Sequence, residues 1–137
     1  MSAGEALAAF NALHPEAGGI TSFVGKVRGA GNVRALELTH YPPLTLPGME
    51  ELAETALDRF ACSGLLVWHR IGVMIPGDAI VLVAAAAAHR RESIDAVDFC
   101  MDHLKSASWF WKREKRADGW HWIEPRADDY TDRARWE

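Results

Sequence analysis

Two cysteines in 137 residues are too few for a disulfide scaffold. Cys62 and Cys100 lie far apart with no metal-type spacing, so both read as reduced core thiols. His-Glu-x-x-His, Cys-x-x-Cys and any carboxylate cluster of metal spacing are missing, so no metal site is expected. Gly25, Gly29 and Gly31 do not form a dinucleotide fingerprint, and there is no Gly-x-Ser-x-Gly elbow. No cofactor is therefore expected. Basic residues are not in excess either; the formal net charge of −4 argues against wholesale binding to nucleic acid. No run approaches the ~20 apolar residues of a membrane span, and no signal peptide is visible, so a cytoplasmic protein is expected.

What is present is an ordinary globular composition, 49% hydrophobic and 25% charged, with no internal repeat or linker. One domain spanning 1–137 follows from that length. Ser2 and Glu5 can cap a first helix whose apolar face is Ala6, Leu7, Phe10 and Leu13. Ile20 to Val27 reads as a strand, and Val33 to Tyr41 as its antiparallel return after a turn at Gly29, Gly31 and Asn32. Pro42-Pro43 and Pro47-Gly48 read as a loop before a helix from Met49 to Ala61. Leu65 to Met74 reads as one strand. Ile80 to Ala88 is apolar throughout, which predicts a central strand covered on both faces. Glu92 or Ser93 opens a helix with the stripe Ile94, Val97, Met101 and Leu104. Phe110 to Lys115 and Trp120 to Glu124 read as strands about the turn Ala117-Asp118-Gly119, and the last eleven residues as a loose polar tail. The fold class is α+β with a mixed, largely antiparallel sheet.

The cationic side chains gather at element ends: Lys26 and Arg28 after the first strand, His89 and Arg90 after the central one, Lys105 at a helix end, and Lys112 with Arg113 in the next strand. Arginine offers a planar fork suited to phosphate, and lysine a compact charge that can give up its proton when desolvated. Each also has a plainer reading: Lys105 could pair with Asp102, Lys112 could face solvent from an edge strand, and His69 could be a structural histidine. The tryptophans at 109, 111, 120 and 122 suggest core or a dimer contact. If the strands ending at Val27 and Ala88 lie side by side, Arg28 and Arg90 converge on one anion.

FVGKVR at 23–28, HYP at 40–42, HRIG at 69–72, PGD at 76–78, AHR at 88–90 and DHLKSASWFWKRE at 102–114 occur in this order. Together they resemble the MoaE family, the large catalytic subunits of molybdopterin synthase, over about Gly19 to Trp136. The resemblance implies an α/β hammerhead fold and a homodimer. Each protomer would bind a MoaD-type small sulfur-carrier protein, giving a heterotetramer. The carrier's C-terminal Gly-Gly tail would deliver sulfur as a thiocarboxylate to cyclic pyranopterin monophosphate, forming the dithiolene of molybdopterin. It implies catalytic roles for Lys105 and Lys112. Substrate binding would fall to Lys26, Val27, Arg28, His89, Arg90, Arg113 and Glu114, with Arg126 contributed across the dimer. The sequence departs from the family at a short turn after Arg28 and at Pro43-Leu44. The alternative is a non-catalytic anion-binding or assembly module of the same fold.

Overall fold

The structure is a computed structural model and describes residues 1–107 and 109–137. Ser108, inside the 102–114 motif, lies outside the described residues. Two antiparallel sheets share the work. One has the order β1 (Gly19–Lys26), β5 (Ala79–Ala87), β3 (Gly64–His69). The other has the order β4 (Gly72–Met74), β2 (Ala35–His40), β6 (Phe110–Arg116), β7 (Gly119–Ile123). Helices α1 (Ala3–Leu13), α2 (Pro42–Arg59), α3 (Arg90–Ser106) and α4 (Ala127–Ala134) complete the α+β fold.

β5 is the central strand that its unbroken apolar run requires. Val81, Val83 and Ala85 pack with Leu52 and Ala56 of α2 and Ala96, Val97 and Cys100 of α3. Ala84 and Ala86 face the other way, onto Phe10 of α1. Alanines suit this strand because helices press on both faces. Leu82 is 0% exposed. Leu82→Ala should therefore lower stability by about 2–5 kcal/mol, read as a shifted urea midpoint at an unchanged m-value.

Four expectations need correction. β1 and β2 do not pair; the turn at Ala30–Asn32, with Gly31 at φ 70°, sends the chain to the second sheet. The single strand expected over Leu65–Met74 is two strands in two sheets. The chain leaves β3 through Arg70, whose N–H donates to the Ile80 carbonyl, and Gly72 at φ 91° redirects it into β4. Apolar residues on both sides of His69-Arg70 hide this switch, because each flank reads equally well as strand.

The third correction concerns Pro42–Gly48, which is helix, not loop. Pro42 stands at N1, where its fixed φ suits a helix start. Pro47 removes one N–H, but Trp109 secures the segment: the Thr45 hydroxyl donates to the Trp109 carbonyl at 2.6 Å. A Cβ on Gly48 would overlap the Trp109 indole, so glycine here serves close packing.

The fourth is the tail, which forms α4 and docks on α3. Asp102 accepts from the Arg135 guanidinium (2.8 Å) and the Trp136 indole N–H (2.6 Å), and Asp98 takes Arg135 as well at 2.6 Å. Trp136 packs edge-on to Phe60 and Phe99 beneath the Arg59 guanidinium. Asp102→Ala should unlatch this segment. The expected result is lost amide-exchange protection across α4 with α3 unchanged.

Candidate active site

Between the two sheets lies a pocket closed on one side by the end of α3. Its apolar wall comes from Leu36 and Leu38 of β2, Ile80 and Val81 of β5, Met101 and Leu104 of α3, Phe110 of β6 and Ile123 of β7. Its polar lining is three side chains: Lys105, Lys112 and His69.

Lys105 is brought here by the stripe Val97–Met101–Leu104, which buries one side of α3 and leaves the next residue at the pocket mouth. The Lys105–Asp102 pair does not form, since Asp102 is taken by Arg135 and Trp136. No described residue makes a salt bridge to Lys105. Its pKa is held below the ordinary lysine value, first by loss of hydration and next by the Lys112 ammonium. Arg126 and Arg28 push the same way, against Asp129. The residue as a whole is exposed, yet hydration loss dominates its shift. These agree for a side chain with a bare stem and a head leaning into the pocket.

Lys112 is half-buried on β6 opposite Leu38, so it faces inward from an interior strand and is no edge-strand charge. Pleating turns Arg113 to the opposite face. There it donates to Glu37 at 2.6 Å and lies 4.4 Å over the Trp120 ring. Arg113 is thus held in a cross-strand ion pair and does not line this pocket. Glu114 is engaged by Arg116 at 2.9 Å.

Val27 is 6% exposed, among Leu36, Leu38 and Met74. Its N–H donates to Asp78 and its carbonyl accepts from Gly77, both at 2.9 Å. These two bonds fix the main chain at Val27 and so anchor the segment that carries Arg28. Lys26 is exposed beyond the β-bulge at Gly25/Lys26. Arg126 caps α4, its N–H donating to Asp129 at 2.9 Å, and its side chain is 70% exposed.

His89 and Arg90 do not join this group. β1 and β5 are antiparallel, with Gly19 opposite Ala87 and Lys26 opposite Ala79. Arg28 and Arg90 therefore leave opposite ends of the pair, separated by roughly 25 Å of strand. Likewise Arg90 begins α3 and Lys105 closes it, about 22 Å along the axis. The expected convergence of Arg28 and Arg90 within one protomer is overturned by strand direction. His89, Arg90 and Arg91 instead rim a separate shallow basin with Gly18. Among the described residues no group of His, Cys, Asp or Glu could hold a metal ion, and no helix is long and apolar enough to cross a membrane.

Residues 1–107 match the family model described as MoaE protein. The chain belongs to the MoaE family. A molybdopterin synthase catalytic subunit of Caulobacter vibrioides is 47% identical over 98% of this chain and 90% of its own length. Among solved structures, a molybdopterin biosynthesis MoaE protein from Burkholderia ambifaria superposes with a TM-score of 0.83 at 38% identity, covering 99% of this chain and 91% of that one. The same fold occurs in a protein–protein complex of subunits 1 and 2 of the molybdopterin-converting factor from Helicobacter pylori (TM-score 0.77, 20% identity, 92% of this chain and 86% of that one). Within this MoaE chain, sequence reasoning passed over one pocket residue, His69. The HRIG motif was its only signal, and a strand histidine between Trp68 and Arg70 does not announce a pocket.

Proposed function

We propose that this MoaE chain is the catalytic subunit of a molybdopterin synthase, a sulfurtransferase acting on cyclic pyranopterin monophosphate. The observation that carries this reading is the pair Lys105 and Lys112 in a pocket between the sheets, with Lys105 held below the ordinary lysine value and paired with no described carboxylate. Sulfur arrives as the thiocarboxylate on the Gly-Gly tail of a MoaD-type carrier, so neither cysteine has to react. Cys100 is buried with its thiol pushed up to about 12, and burial raises Cys62 too, which keeps both protonated.

Two anions must meet in this pocket, the carrier's tail and the substrate's phosphate. Lys105 and Lys112 offset that repulsion with charge-assisted hydrogen bonds, and Arg28 and Arg126 add positive potential at the mouth. A lysine of lowered pKa is also a better proton donor to a leaving oxygen. His89 and Arg90 enter through a homodimer: a two-fold axis that sets the α3 N-terminus of one protomer against the α3 C-terminus of its partner completes the cationic set. Trp111 and Trp122, both exposed, offer apolar surface for protein contacts. With one carrier per protomer the assembly is a heterotetramer, working in the cytoplasm.

The test is reconstitution. The purified chain, a thiocarboxylated Gly-Gly carrier and cyclic pyranopterin monophosphate should yield the dithiolene product, read by mass spectrometry. Binding of the carrier with no product under any ratio would return the chain to the non-catalytic alternative.

A further inference from the structure

His69 lines the pocket together with the two lysines. Its Nδ1 lies 2.9 Å from the Arg70 carbonyl oxygen. A carbonyl only accepts, so Nδ1 carries the ring proton and Nε2 presents a bare lone pair. The ring is stacked on Phe110, centroids 3.9 Å apart and planes 16° from parallel, which fixes the direction of that lone pair. No described residue donates to Nε2. The neutral form persists at working pH, because burial holds the imidazole at about 4; the Arg70 bond opposes this, and Lys105, Lys112 and His40 add to it.

The pocket's polar groups are therefore two donors and one acceptor. Lys105 and Lys112 can only donate. A ligand made solely of anionic oxygens would meet repulsion at an Nε2 lone pair. A ligand that joins an anionic part to a heterocycle bearing N–H groups satisfies all three. We propose that His69 Nε2 accepts a hydrogen bond from a ring N–H of the bound substrate, orienting the heterocycle on the Phe110 side while the lysines hold its anionic part. This rests on the reading of the pocket as the pterin site.

The test separates the two nitrogens. His69→Gln places a side-chain amide near the position of Nε2, His69→Asn near that of Nδ1, and His69→Phe keeps the stacked ring with neither. With the wild-type chain, thiocarboxylated carrier and cyclic pyranopterin monophosphate, His69→Phe and His69→Asn should raise KM about tenfold at a nearly unchanged kcat, the scale of one lost hydrogen bond. His69→Gln should recover most of the affinity. Rescue by asparagine and not glutamine would show that the Arg70 contact alone matters, and would overturn the proposal. So would unchanged kinetics in His69→Phe, or a fall in kcat at constant KM, which would place His69 on a lysine and not on the substrate. A variant that unfolds shows itself in a melting curve; glutamine against asparagine then decides between folded proteins. If the wild type makes no product, the pterin reading fails and this inference with it; if only the variants are indistinguishable from wild type, the inference alone fails.

Discussion

Lys105→Ala should reduce kcat/KM for molybdopterin formation by about 10²–10⁴-fold, the usual worth of a positioned proton donor. Fold and carrier binding should stay largely intact. The sign of the pKa shift supports the second half. A lysine whose folded value is depressed is held protonated against the fold at neutral pH, and that penalty fades only as pH rises through the folded and then the unfolded value. Removing the charge should therefore leave the melting temperature unchanged or raise it. Lys105→Arg keeps the charge but holds its proton too tightly to give it up, so it should remain nearly as impaired. In the wild type, a donor role puts an alkaline limb on the rate profile below the ordinary lysine value of 10.5, because the ammonium is lost there. Lys112→Ala removes the second-largest cause of the shift, so the limb of its residual activity should move to higher pH. Near-normal product formation by Lys105→Ala with purified thiocarboxylated carrier would remove this lysine from the mechanism.

Two impaired variants should rescue one another. Arg90→Ala should mainly raise KM, by about 10- to 100-fold if it deletes charge-assisted bonds present in ground and transition states alike. Lys105→Ala has no competent lysine. Assayed far below KM, each alone is close to inactive. Co-expressed with different tags and purified as a mixture, they form heterodimers in which one pocket pairs an intact Lys105 with the neighbour's intact Arg90. Random assortment then restores about a quarter of wild-type activity, since half the dimers are mixed and one of their two pockets is whole. The argument is the separation of the α3 ends: no side chain crosses about 22 Å, so these residues act together only across an interface. Absence of recovery in a verified heterodimer would mean that His89 and Arg90 serve elsewhere, at the shallow basin they rim with Gly18.

The sequence by itself determined the pieces whose causes are local. The run from Ile80 to Ala88 has alanines that could be helical, but the turn before it and the Ile-Val-Leu-Val at its start favour a strand covered on both faces, and β5 is that strand. Ser2 caps α1 through the Glu5 amide because capping is settled within one turn. Lys105 at a helix end and Lys112 on the next strand were legible as a pair, because the segment between them is short. Tertiary structure decided what depends on direction and on distant neighbours. Antiparallel pairing of β1 with β5 sets Arg28 and Arg90 at opposite ends of the strand pair, since strand direction is not written in either segment. Pleating, with Glu37 opposite, turned Arg113 out of the pocket. Trp109 made helix of Pro42–Gly48, and Asp102 made a docked helix of the polar tail. His69 became a pocket residue only because the chain changes sheets just after it, at Gly72. Such partners lie dozens of residues away, and no local pattern of hydrophobicity or charge encodes which of them a side chain will meet.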